Sequence, residues 1–328
     1  MAVSDIPRPE CGPGDALVRI RRVGVCGTDI HAFGGQQPYF TYPRVLGHEL
    51  AGEVATVGEG GDPALIGQNA YVIPYLHCGE CHACRRGHTN CCQSMEVVGV
   101  HRDGGMADFL VVPIEHLVTS SRLSSEQLAL IECLAIGAHA VRRSEIDRDK
   151  LAVIAGAGPI GMGILQIARS RGARTVVTDT NPERLAFCRN VLGAERTLRP
   201  GEDDVEGELE AMTGGALADV VFDATGNPHA MEAGFNFVGH GGRYVLVSIV
   251  KADIRFHDPD FHKKELTLLG SRNATREDFA TVTRLMENGE LRSDAMITHR
   301  GRLEEVPQLM PKWCEPASGV IKAMIILD

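Results

Sequence analysis

The 328 residues predict an α/β fold in two parts: a doubly wound parallel sheet in the middle of the chain and a compact, mostly β domain before it. Three observations lead there. Residues 151–179 read as strand, glycine turn, helix and second strand. Further apolar runs, divided by helix-length segments, continue to residue 271. The first 120 residues are instead rich in glycine, proline and short β-branched runs.

The length suits about two domains. A net charge of −10 argues against a nucleic-acid partner, which would need a basic face. No run of about 18 apolar residues is present, so no membrane span is expected. The opening "MAVSDIPRPE" lacks the apolar core of a signal peptide, and the cytoplasm is the expected location.

In chain order, "ALVRIRRVGV" (16–25), "AGEVATVG" (51–58) and "NAYVIPY" (69–75) are predicted strands. Around them lie Cys26 and Thr28 in "GVCGTDIH", His48 and Glu49 in "RVLGHEL", and Glu132 in "IECLAIGAHA", a predicted helix. Thiolate, imidazole and carboxylate form a ligand set that fits zinc. Three protein ligands leave the open position that catalysis requires. Taken singly, each has a plainer reading: Cys26 as a small buried hydrophobe, His48 as a satisfied polar residue, Glu132 as a solvated helix face.

Five of the ten cysteines fall in "HCGECHACRRGHTNCC" (77–92). A reducing compartment disfavours disulfides, so clustered thiols there point to metal. Cys78, Cys81 and Cys84 are each separated by two residues, and Gly79 and Gly87 allow the tight turns that wrapping an ion needs. Four thiolates with no open position describe a structural zinc site, which three CxxC-spaced thiols plus a fourth suit better than a redox pair. Spacing alone leaves the fourth ligand as Cys91 or Cys92. A closed site cannot bind substrate, so the chemistry belongs elsewhere.

"LAVIA" (151–155) is wholly apolar, as expected of a buried parallel strand. "GAGPIG" follows, with Gly156, Gly158, Pro159, Ile160 and Gly161 opening a helix. The glycines permit a tight turn and close approach to a pyrophosphate, which the free N–H groups of the helix start attract. Asp179 ends the next strand, "RTVVTD", and is placed to accept from an adenosine ribose. Its charge would repel a 2′-phosphate, favouring NAD over NADP. "ADVVFDATG" (218–226), "GGRYVLVSI" (241–249) and "ELTLLGS" (265–271) extend the sheet. Strand ends face the ligand crevice, so Thr225, Gly226, Ser248 and Ile249 are candidates for the nicotinamide half.

"GVCGTDIHAFGG", "YPRVLGHELAGEV", the cysteine lobe, "GAGPIG" and "SRNATREDFATVTRLMENG" together resemble the zinc-dependent medium-chain dehydrogenase family over nearly the whole chain. The likeness is strongest to its polyol and sugar-acid branch, near sorbitol and threonine dehydrogenases. The resemblance implies a GroES-like catalytic domain, residues 1–136 completed by 272–328, with a Rossmann domain inserted at 137–271. It implies NAD-linked oxidation of a secondary alcohol of a sugar acid, with a neutral polyol or L-threonine as the alternative substrate. It implies two zinc ions per chain, one catalytic and one structural, and a homodimer or homotetramer. Cys26, His48 and Glu49 match the catalytic ligands; Glu132 matches either a ligand or a partner behind the metal's water. Cys78, Cys81, Cys84 and Cys92 match the structural lobe. Thr28 and His31 match the family's proton relay, in which histidine suits because it titrates near neutrality. Their plainer readings are a turn-capping hydroxyl and a surface residue.

A sugar acid needs a cation for its carboxylate. Arg272 in "GSRNA" offers a bidentate fork, and Asn273 could bond sugar hydroxyls; His101 and Arg102 are second candidates. Arg272 could equally shape a domain or subunit interface. Family members carry a further strand before "DIPRPECGPGDALV", which this chain is expected to lack, exposing a sheet edge. A non-catalytic nucleotide-binding relative is the rival class, and the intact Cys26, Thr28, His48 and Glu49 argue against it.

Overall fold

The computed structural model describes residues 1–36 and 40–328. Two compact units emerge: Met1–Cys133 with Thr275–Gly289 and Ser293–Asp328, and Leu134–Ala274 with Glu290–Arg292.

The first unit begins with strand β1 (Asp15–Val25), helix α1 (Gly27–Phe33) and strands β2 (Glu49–Val57) and β3 (Asn69–Val72). β4 (Tyr75–Leu76) and β5 (Glu96–Val97) form a small ribbon, with the short helix α2 (His82–Arg85) between them. β6 (Phe109–Pro113) and β7 (Leu117–Thr119) follow, and α3 (Ser125–Ser144) leads out of the unit. The predicted strand 69–75 is interrupted at Pro74, which has no N–H to continue a ladder, just after Ile73 donates to the carbonyl of His116 opposite it.

The second unit carries β8 (Leu151–Ala155), α4 (Pro159–Ser170), β9 (Arg174–Thr178), α5 (Pro182–Asn190), β10 (Arg196–Leu198), α6 (Val205–Thr213), β11 (Ala218–Asp223), α7 (Pro228–Phe237), β12 (Val238–Leu246), α8 (Asp258–Lys263) and β13 (Thr267–Gly270). The sheet order is β10-β9-β8-β11-β12-β13, and every pairing is parallel. All five residues of β8 are buried, as a central parallel strand requires. β12 runs three residues earlier than the predicted 241–249 and ends at Leu246. The N–H groups of Val247 and Ser248 then turn back to the carbonyl of Asp223, which closes the strand.

The chain returns to the first unit through α9 (Arg276–Glu287), β14 (Ile297–Arg302), α10 (Val306–Trp313) and β15 (Lys322–Ile326). There a seven-stranded sheet runs β14-β15-β1-β2-β3-β7, with β6 also on β1. Its core includes Val18, Ile20, Leu50, Val54, Met310, Trp313 and Ile325. Two registers position the buried polar residues of this unit. Antiparallel pairing sets Gly24 of β1 opposite Glu49 of β2, and Val25 opposite Ala323 of β15. Three chain segments, one from the C-terminal end, thus meet at one end of β1. Among the described residues no helix is long and apolar enough to cross a membrane.

Candidate active site and metal centres

Just past the end of β1, Cys26 stands in extended conformation as the N-cap of α1. Asp29 is fully buried three residues on, and its carboxylate accepts the Cys26 N–H at 2.9 Å and the Gly47 N–H at 3.1 Å. One carboxylate therefore ties the start of α1 to the turn that delivers His48. Glu49 follows as the first residue of β2. A Cβ on Gly24 would lie 2.0 Å from Glu49 Oε2, so only glycine leaves room for that side chain.

One ligand atom each from Cys26, His48 and Glu49 lies within 4.8 Å of the others. His48 and Glu49 are buried, and Cys26 is partly so. Nδ1 of His48 is buried, has no hydrogen-bond partner, and sits 3.8 Å from Asp29 Oδ1. Burial opposes charge on His48, but Cys26 and Asp29 beside it raise its pKa well above the ordinary value. A thiol, an imidazole and a carboxylate at this spacing, held out of water, fit a zinc ion with one position left open.

Two groups complete the cluster that the sequence did not single out. Lys322 of β15 is 1% exposed; its ammonium donates to both Glu49 oxygens, at 2.6 and 2.8 Å, and to the carbonyl of Val25 at 3.2 Å. Burial disfavours its charge, while Cys133, Glu49 and Cys26 raise its pKa above the usual lysine range. Tyr75 of β4 is buried and donates its phenol proton to Glu132 Oε1. Glu132, on α3, lies outside the group of ligand atoms formed by Cys26, His48 and Glu49. Burial pushes its carboxyl up, and the charge of His48 pulls the other way. Thr28 and His31 sit one turn apart on α1, Thr28 half-buried and His31 exposed.

The second cluster is Cys78, Cys81, Cys84 and Cys92, whose sulfurs also lie within 4.8 Å of one another. The Sγ atoms of Cys78 and Cys92 are 3.5 Å apart, too far for a disulfide. Backbone N–H groups of Cys78, Cys81 and Cys84 point at neighbouring sulfurs. Such N–H groups lower the Cys78 and Cys81 thiols, whereas burial raises Cys84. Cys92 is buried in the cluster, while Cys91 is exposed at the end of a single 3-10 turn. Four sulfurs with no gap describe a closed zinc cage. Cys92→Ser is expected to lower the zinc content by one ion per chain and the unfolding temperature with it, and Cys91→Ser to change neither. Metal analysis of the two purified variants beside a thermal scan checks this.

In the second unit the glycine turn sits where β8 meets α4. Gly156 has φ +99°, a region that suits glycine. A Cβ on Gly161 would fall 1.8 Å from the Gly156 carbonyl oxygen, so the helix packs on the turn only without a side chain. Gly158 is the N-cap of α4 and Pro159 its first residue, with Pro159 and Ile160 half-buried. The Asp179 carboxylate accepts the N–H of Ala157 at 2.6 Å and of Asn181 at 2.8 Å, fixing the acid beside the turn. Across the sheet, buried Asp223 accepts the hydroxyl protons of Thr225 and Ser248, and Ser248 Oγ accepts the Gly226 N–H. These three predicted residues are thus brought together by a carboxylate that no sequence motif marked. Ile249, next in the chain after Ser248, is 82% exposed. Arg272 is exposed, and Asn273 takes a left-handed conformation (φ +52°) with its Nδ2 buried and unpaired. His101 and Arg102 are exposed beyond the cysteine lobe; His101 Nδ1 accepts the Val97 N–H at 3.0 Å.

Two stretches of the chain match known families. Residues 12–122 match the alcohol dehydrogenase GroES-like domain, and residues 159–288 match the zinc-binding dehydrogenase family. The chain is 48% identical to L-galactonate-5-dehydrogenase of Escherichia coli K12, over 90% of this chain and 86% of that one. It is 33% identical to 2-dehydro-3-deoxy-L-galactonate 5-dehydrogenase of Pseudoalteromonas atlantica, over 85% of this chain and 82% of that one. Among solved structures, a zinc-binding dehydrogenase of Sinorhizobium meliloti 1021 bound to NADP superimposes with a TM-score of 0.92 at 29% identity, covering 99% of this chain and 96% of that one. The two matched families and the 48% identity over 90% of the chain establish its kind: the chain belongs to the zinc-binding medium-chain alcohol dehydrogenase family.

Proposed function

We propose that the chain oxidises a secondary alcohol of a sugar acid, an aldonate of the L-galactonate type, to the corresponding 5-keto acid, with NAD as hydride acceptor. The observation that carries this reading is the complete Cys26–His48–Glu49 cluster in a chain 48% identical to an L-galactonate dehydrogenase. Zinc in that cluster would act as a Lewis acid, lowering the pKa of the substrate hydroxyl. NAD would supply the hydride acceptor for the alcohol carbon, while the hydroxyl proton leaves to solvent. Thr28, half-buried, and His31, exposed one turn on, form the outward path for that proton. The carboxylate of Asp179, fixed by two backbone N–H groups, disfavours a 2′-phosphate and supports NAD. Gly156, Gly158, Pro159, Ile160 and Gly161 would hold the pyrophosphate, and Thr225, Gly226, Ser248 and Ile249 would line the nicotinamide half. In this reading residues 1–136 and 272–328 make the catalytic domain and 137–271 the dinucleotide domain, and the protein is a cytoplasmic dimer or tetramer with two zinc ions per chain.

Arg272 takes the substrate carboxylate and Asn273 a sugar hydroxyl. The assay is reduced-nicotinamide formation with L-galactonate, L-gulonate, L-idonate, sorbitol and L-threonine, each with NAD and with NADP. Turnover on one aldonate with NAD is expected. Turnover confined to sorbitol or threonine would sink the sugar-acid reading. A charged hydrogen bond is worth about 1.5–3 kcal/mol, so Arg272→Ala should raise KM for the aldonate by about 10- to 150-fold. KM for any neutral polyol should stay put.

A further inference from the structure

We infer that Tyr75 is a positioning residue that holds the Glu132 carboxylate outside the metal's ligand set, leaving Cys26, His48 and Glu49 as the ligands. This rests on the reading of that cluster as the catalytic zinc site. Two buried carboxylates, Glu49 and Glu132, compete for one role, and each is held by its own donor. Glu49 lies within 4.8 Å of both other ligand atoms and has Lys322 behind it. Glu132 is outside that group, with Oε1 taken by the Tyr75 phenol.

Tyr75 itself cannot swing aside. Its backbone is pinned by β4–β5 pairing opposite Val97. Its ring meets Phe279 edge-on at 6.1 Å, and Phe279 stacks on Tyr71 at 5.9 Å. Tyr71 is anchored in turn by a 3.1 Å hydrogen bond with Thr283 of α9. A phenol held in this way anchors one carboxylate oxygen and so limits where the other can reach. Outer partners of a metal site commonly act in this way.

Tyr75→Phe keeps the ring and the stack and removes only the donor. With cobalt in place of zinc, the variant's visible absorption should differ from wild type, because Glu132 is released toward the metal. Its kcat should fall about 10- to 100-fold with KM little changed. A double-mutant cycle decides whether Tyr75 works through Glu132: in the Glu132→Gln background, Tyr75→Phe should add no further loss. An unchanged cobalt spectrum and kcat in Tyr75→Phe, or full additivity with Glu132→Gln, would overturn the inference. If Tyr75→Phe does not fold, the cobalt spectrum of Glu132→Gln decides. A spectrum close to wild type means that Glu132 is not a ligand, as the inference requires; loss of a carboxylate from the cobalt shell overturns it. Wild-type protein that takes up no cobalt at the Cys26 cluster would instead defeat the zinc-site reading itself.

Discussion

Cys26→Ser is expected to lower kcat/KM by at least about 1,000-fold while leaving one zinc ion per chain. A Lewis-acid metal supplies several kcal/mol of transition-state stabilisation, and each 1.36 kcal/mol is tenfold in rate. Serine is a poor replacement for a thiolate ligand, so the cluster of Cys26, His48 and Glu49 would lose its metal or hold it weakly. The fold around it should survive. Asp29 binds the backbone N–H of Cys26, which the substitution leaves in place, and still bridges to Gly47. The cage of Cys78, Cys81, Cys84 and Cys92 is a separate cluster and keeps its ion. Metal analysis beside steady-state rates separates the two sites. Near-normal turnover with one zinc fewer would mean that the cluster is not where the reaction happens.

Lys322→Met should destabilise the metal-free protein by about 3–5 kcal/mol, the usual cost of leaving one member of a buried ion pair alone. Lys322 is 1% exposed and Glu49 fully buried, and the lysine is the donor to both carboxylate oxygens. Without it, Glu49 faces the sulfur of Cys26 and the Glu132 carboxylate with only the His48 imidazole to offset them. A zinc ion in the cluster would supply that missing charge. The denaturation midpoint of the variant should therefore recover substantially on zinc addition, and by more than wild type gains. Urea unfolding with and without zinc tests this, since a shift of midpoint at constant slope reads stability directly. Equal midpoints for wild type and variant without metal would show that the pair contributes nothing.

The parts legible in the sequence were those encoded by local spacing. The glycine turn, the cysteine lobe and the strand at 151–155 each depend on residues a few positions apart, so pattern and geometry coincide. Cys91 against Cys92 was the exception: the two are adjacent, spacing could not separate them, and burial does. Long-range partners were not legible. Lys322 lies 273 residues from Glu49, and in the run "GVIKAMIILD" it reads as a solvated charge beside an apolar strand. Tyr75 and Glu132 are 57 residues apart and share no periodicity. Asp29 did leave a signal. An acid three residues after an N-cap is the capping-box position, but it predicts a helix start, not a tie to the turn before His48. Strand edges moved for chemical reasons: Pro74 broke one predicted strand, and the glycine pair at 241–242 hid the true start of β12.

Dependence of the reaction on zinc at the Cys26 cluster is tested by reduced-nicotinamide formation from L-galactonate and NAD by protein stripped of metal and then given back zinc. Negligible turnover is expected after chelation, with recovery on adding zinc to wild type and none in Cys26→Ser. Undiminished turnover by protein shown to have lost the zinc of the Cys26 cluster would contradict that dependence.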